Sequence, residues 1–322
     1  MADITTVNSE RSMQSRPTRR WTSAALLLAA AAYLGYYVIS QWQSLERALQ
    51  GIRFSMLFAA TAAILPMLAL KSLYHVLALR RLGQAPLPRA TTIIDAYAGS
   101  QIIRYLPGKV LGVMYEAARL AEYAPAHRII AANVVQSLHT LAMTVAVLAA
   151  VAVWLVKGET HAAWFLIFAA TGALWVTHRI HLTERALACV ARRLPRLRDL
   201  PSLPMPSGHA SLLASVMLLA EWLPYFLFWA LLLPPNADIP RDAILLGACY
   251  AGASMIANFA VLMPSGLFLR EALFLWAGKQ LQIDPASLLV LGVLSRLLLT
   301  LADAVFVPLA WGASRHAMGT RA

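Results

Sequence analysis

Apolar positions in this chain come in long blocks, not in alternation. Residues 21–40, 55–70 (extending toward 79), 130–156, 162–176, 210–233, 243–269 and 286–314 are uncharged or nearly so. As helices rising about 1.5 Å per residue, most of these runs are long enough to cross roughly 30 Å of hydrocarbon. Backbone in lipid has to satisfy its own N–H and C=O groups, which leaves helices and closed barrels. Barrel strands of about ten residues with strict alternation are absent. The pattern predicts an all-α, polytopic integral membrane helix bundle of about 7–8 hydrophobic segments. The first run, 21–40, fits a retained spanning helix better than a cleaved signal, whose apolar region is shorter and ends on small residues. Residues 1–20 read as a basic tail, 21–314 as a single transmembrane domain and 315–322 as a short tail.

Two apolar stretches are interrupted. Residues 101–116, QIIRYLPGKVLGVMYE, break at Pro107-Gly108, with Arg104 and Lys109 on either side. Residues 250–274, YAGASMIANFAVLMPSGLFLREALF, break at Pro264 and Gly266 and continue into Arg270-Glu271. Proline removes a hydrogen-bond donor and glycine tolerates unusual dihedrals, so each break ends a helix. Tyr-Ala-Gly stands just ahead of the first stretch (97–99) and opens the second (250–252), and each carries a glutamate after the break, Glu116 and Glu271. Their spacings differ by about one helical turn. Paired interrupted segments in corresponding halves point to an internal repeat and to a transporter binding site at its interface.

Charge sets the expected orientation. The tail carries Arg11, Arg16, Arg19 and Arg20; the loop after the second run carries Arg80, Arg81 and Arg89. The 178–209 loop carries Arg179, Arg185, Arg192, Arg193, Arg196 and Arg198. Positive-inside bias puts all three, and the N-terminus, in the cytoplasm. A full crossing by residues 93–113 would move the arginine-rich loop outside, so the broken segment is expected to be re-entrant, its irregular backbone covered by protein or lining a cavity. Within the 178–209 loop, Leu182, Leu187, Val190, Leu194 and Leu197 share one helical face, which reads either as an interfacial amphipathic helix or as a solvated connector.

Composition agrees with the blocks: 60% hydrophobic, 13% charged and a mean hydropathy of +0.63. The net charge of +12 sits between apolar runs, as topology requires, and no motif supports nucleic-acid binding. Cys189 and Cys249 form neither a metal spacing nor a disulfide framework. No cofactor and no metal is expected.

RYLPGKVLG, followed by Glu116 and Arg119, resembles the first hallmark of the lysylphosphatidylglycerol synthase transmembrane-region family, the flippase-like proteins. PSGLFLREALF is similar to the second, matching at Pro264, Gly266, Leu267, Arg270 and Glu271 and departing at Ser265 and Phe268, where the family usually has glycine. SRLLLTLAD, with Arg296 and Asp303, resembles the family's last helix. The resemblance covers most of the chain from about residue 20. It implies a multi-pass inner-membrane protein, not an enzyme, that handles lipids with charged, phosphate-bearing or sugar head groups: anionic, polyprenyl or glycolipid. The family's aminoacyl-transfer domain has no counterpart here. Translocation is therefore implied, or assistance to a separate lipid- or glycan-modifying enzyme, and a scaffold or accessory subunit of such an enzyme is the alternative.

Ionisable groups at membrane depth are costly and usually functional. Glu221 lies near the middle of 210–233, and Arg296 and Asp303 near the middle of 286–314. The last two are about 10 Å apart along a helix, so each needs a partner from elsewhere. Arg104, Lys109 and Arg270 at the breaks are candidate phosphate ligands, with Glu116 and Glu271 orienting them and snorkelling anchors as the bland alternative. His75 and His139 are expected to make helix-to-helix hydrogen bonds. Pro206-Ser207-Gly208-His209 resembles the middle motif of type-2 phosphatidic-acid phosphatases, but Lys71 lacks the Arg-Pro partner and Ser295-Arg296 the nucleophilic histidine that this chemistry needs.

Overall fold

A computed structural model describes residues 54–82, 87–103, 111–157, 208–233, 238–259 and 269–319, with isolated positions between 39 and 46 and between 164 and 175. Every extended element among them is an α-helix: α1 (Phe54–Arg81), α2 (Ala90–Ile103), α3 (Leu111–Arg119), α4 (Ala126–Lys157), α5 (Gly208–Ala220), α6 (Trp222–Leu232), α7 (Ile239–Phe259), α8 (Leu269–Gln280) and α9 (Pro285–Gly319). The basic tail, nearly all of the first run, the six arginines of the 178–209 loop and both Pro/Gly breaks lie outside the described residues.

Four helices are long and apolar enough to span a membrane: Phe54–Arg81, Ala126–Val156, Leu212–Leu232 and Pro285–His316. Their large apolar side chains point outward as well as inward. Phe58 is 75% exposed, Val156 81%, Leu223 74% and Leu297 61%, which water would penalise and lipid does not.

The helix bounds refine the sequence expectations. The second run takes its longer extent: α1 continues through Lys71 and closes on Arg80 and Arg81, cations that suit a helix C-terminus. α1 also tolerates Pro66 in its interior. The 210–233 run is two helices, α5 and α6, meeting at Glu221, which keeps helical dihedrals (φ −65°, ψ −21°), so the two form one span. α7 starts before the 243–269 run and is 21 residues long. Over its described residues it is not among the four apolar spans. α2 has 14 described residues.

The packing repeats. α1 packs on α2 as α6 does on α7; α2 on α3 as α7 on α8; α3 on α4 as α8 on α9. The halves are interlocked crosswise, α2 against α9 and α7 against α4, and α1 and α6 share the most extensive contact. One apolar core gathers around Leu79, Ile93, Ile129, Met143 and Leu218. A second gathers around Ile64, Phe228, Trp229, Leu246, Phe274 and Leu288.

The Tyr-Ala-Gly motifs are not equivalent in packing. A Cβ on Gly99 would stand 2.6 Å from the Tyr115 ring, which would have to shift, whereas one on Gly252 would meet Leu148 at an ordinary 3.4 Å. Gly99→Ala is expected to lose about 1–3 kcal/mol through overpacking, and Gly252→Ala to stay near the parent. Thermal unfolding in detergent checks the contrast; equal midpoints for the two variants would refute it.

Candidate functional site

Between the two cores lies a cavity of about 750 Å³ whose wall takes side chains from both halves. Tyr97 on α2 and Tyr250 on α7, the first residues of the two Tyr-Ala-Gly motifs, both line it. Its charged wall comprises Lys71, Arg270 and Arg296 as cations and Glu221 and Asp303 as carboxylates. Each sits on a helix whose outer face is apolar, so the bundle turns its rare charges inward, away from lipid.

At one end, α8 and α9 build a cluster around Glu271. Its Oε1 accepts from Arg270 Nη2 at 3.3 Å and from Arg296 Nη1 at 3.0 Å. Arg270 also lies over the Tyr250 ring, 4.9 Å from its centroid, a cation–π contact. Among the described residues, Arg270 Nε and Glu271 Oε2 are buried with no hydrogen-bond partner. Buried polar atoms are nearly always satisfied, so such a pair needs explaining. A phosphate or hydroxyl oxygen would complete the first, and a hydroxyl or ammonium donor the second.

Glu221 is buried at the α5–α6 junction, with Lys71 of α1 as its opposite charge. Asp303 is buried on the cavity wall, two turns beyond Arg296 on α9.

At the other end, α1, α2, α3 and α4 bury a polar network. His75 Nε2 lies 2.6 Å from Glu116 Oε1, and both side chains are fully buried. His75 Nδ1 lies 2.7 Å from Gln136 Oε1, and its ring stacks on Tyr97 at 4.4 Å between centroids. Asn133 Nδ2 donates to Glu116 Oε2 at 2.9 Å. Gln136 Nε2 donates to the Tyr97 hydroxyl and to the Lys71 carbonyl. Asn133, Gln136 and Tyr97 are also cavity-wall residues, so the network abuts the cavity directly. Nearby, Tyr74 and His139 hydrogen-bond across α1 and α4, and Arg128 donates twice to the Leu79 carbonyl near the end of α1.

Arg270, Arg296, Asp303 and Glu221 thus meet on one cavity, with Glu271 bridging the two arginines. Glu116 does not lie on the wall: its described partners are His75 and Asn133. Arg104, Pro107, Gly108, Lys109, Pro264 and Gly266 lie outside the described residues. Both histidines tie helices together, the role expected of lone membrane histidines. Lys71, Asn133 and Gln136 were missed as site residues. Lys71 was legible as a lone cation in an apolar block, four residues before His75 and on the same helical face. Among the described residues no cluster of His, Cys, Asp and Glu could hold a metal. The chain matches no family model, no curated protein and no solved structure.

Proposed function

We propose that this chain is a membrane lipid translocase of the flippase-like kind, carrying a lipid with a phosphate-bearing, charged or sugar head group. The observation that supports it most is the shared cavity, with Lys71, Arg270 and Arg296 on its wall and an unfilled donor on Arg270. Its volume suits a head group, since small-ligand sites run about 300–1,000 Å³, while acyl chains would remain in the surrounding lipid. Guanidinium groups are the side chains best matched to phosphate.

The same reading takes α2–α3 and α7–α8 as two re-entrant, Pro/Gly-broken segments of an internal repeat. The helix contacts of the two halves correspond. It keeps about 7–8 hydrophobic segments, the N-terminus in the cytoplasm and the cell inner membrane as the site of action. The short motifs that resemble the lysylphosphatidylglycerol synthase transmembrane region support it independently. A transport cycle would alternate access to the cavity by rocking one half against the other.

Reconstituted vesicles test this. The parent is expected to move fluorescent phosphatidylglycerol between leaflets, and Arg270→Ala and Lys71→Ala to slow that movement at least tenfold while inserting normally; tenfold corresponds to about 1.4 kcal/mol, close to the lower end for one charge-assisted hydrogen bond. Parental rates in both variants would leave the cations as depth anchors and remove the proposal.

A further inference from the structure

Every serine, threonine, asparagine and glutamine of α4 lies on the cavity wall: Asn133, Gln136, Ser137, Thr140 and Thr144. Four of them, 133, 137, 140 and 144, recur at intervals of four, three and four, and so share one face of the helix. Hydroxyls bonded to their own helix backbone are tolerated anywhere around a membrane span. Tolerance alone does not confine them to the cavity. These groups offer mainly acceptors. The Ser137 hydroxyl donates to the Asn133 carbonyl at 2.7 Å, and the Thr144 hydroxyl to the Thr140 carbonyl at 2.8 Å. A hydroxyl has one hydrogen and two lone pairs, so each of these oxygens can only accept a ligand's hydrogen. Asn133 gives its amide hydrogens to Glu116 Oε2 and to the Ile129 carbonyl, which leaves its Oδ1. Ser100 of α2 and Thr300 of α9, also on the wall, likewise donate to backbone carbonyls of their own helices.

A ligand lying on this face has to supply the donors, and either an ammonium or a set of hydroxyls could do so. The residues that α4 places on the wall include no ionisable side chain. An ammonium taken out of water needs a carboxylate beside it, because neutral acceptors do not compensate its lost hydration. A hydroxyl needs only an acceptor. The carboxylates of the wall stand on other elements, Glu221 at the α5–α6 junction and Asp303 on α9. The cations that suit a phosphate also stand elsewhere. Arg270 and Arg296 each give one N–H to Glu271 Oε1, and a guanidinium carries five.

We propose that the cavity takes a polyol phosphate: a phosphodiester at Arg270 and Arg296, joined to a sugar- or inositol-like ring whose hydroxyls donate to the polar face of α4. The inference rests on the cavity being the head-group site and names the class of head group. From Asn133 to Thr144 the helix rises about 16 Å, room for more hydroxyls than a glycerol carries. The ring is recognised through its hydrogens and the phosphate through its charge, by different helices.

Binding of lipids with identical acyl chains to the purified full chain in neutral detergent tests this. Phosphatidylinositol and phosphatidylmethanol carry the same phosphodiester charge and differ in hydroxyls. Phosphatidylinositol is expected to bind at least about tenfold more tightly, the scale of two neutral hydrogen bonds. Ser137→Ala combined with Thr144→Val removes two acceptors and is expected to abolish that preference. Both side chains bond to their own helix, so the fold should survive; if it does not, Ser137→Ala alone should still lower the preference. Equal binding of the two lipids by the parent overturns the polyol assignment and leaves the head-group site standing. So does tighter binding of phosphatidylethanolamine, which would put an ammonium on the wall. A preference that survives the substitutions overturns the placement on α4. If none of these lipids binds, the lipid reading of the cavity fails separately, and soluble inositol 1-phosphate decides. Binding that the double variant loses keeps the polyol site, and no binding overturns it.

Discussion

Replacing Glu116 with alanine is expected to be among the most destabilising single changes in the molecule, although the residue sits on the short helix α3. The carboxylate is fully buried and receives His75 through one oxygen and Asn133 through the other. Truncation leaves a His75 nitrogen without its partner where no water reaches it, at about 1–3 kcal/mol, while Asn133, on the cavity wall, keeps the Ile129 carbonyl. It also opens a void that four packed helices cannot readily close. A total loss of about 3–5 kcal/mol follows, near the top of the range for single substitutions. Glu116→Gln has the same shape and refills both contacts, so it should stay within about 1 kcal/mol of the parent, as expected when partners are replaced without leaving groups unsatisfied. Thermal or denaturant unfolding in detergent separates the two. Similar losses for alanine and glutamine would mean that charge, not hydrogen bonding, holds the network.

The contrast between Glu116 and Glu271 shows what the sequence could and could not disclose. Each follows a Pro/Gly break and a Tyr-Ala-Gly motif, and that parallel was visible in the residues alone. Their partners were not. Glu271 has an arginine as its neighbour in sequence and finds a second, Arg296, 25 positions on. Glu116, expected with Glu271 to orient the cations at the breaks, has as its described partners a histidine 41 positions back and an asparagine 17 positions on; Arg104 and Lys109 lie outside the described residues. Hydropathy blocks reveal which segments enter lipid, because each residue in a span contributes independently to transfer energy. Pairings across helices depend on which faces meet, and that is set by packing over the whole bundle. Lys71 illustrates the limit. By composition it interrupts the apolar run that extends toward Leu79, and the helix continues through it with its side chain on the cavity wall.

Glu271→Ala is the second change expected to have a large effect, and it bears on the ligand as well as on stability. The carboxylate stands between two guanidinium groups whose side chains are 18% and 21% exposed. Removing it leaves two like charges side by side at the cavity wall. Breaking a buried pair costs about 3–5 kcal/mol, and with some water reaching the arginines the lower end applies. A stripped two-cation site should then bind an anion more strongly than the parent does. Ligand at a hundred times its dissociation constant stabilises a protein by about 2.7 kcal/mol, nearly the size of the expected loss. Phosphatidylglycerol added to Glu271→Ala in detergent should therefore raise its unfolding midpoint by more than it raises the parent's, and phosphatidylcholine should not. If the anionic lipid stabilises parent and variant alike, Arg270 and Arg296 do not meet its phosphate, and the cavity's cations serve the packing of α8 against α9.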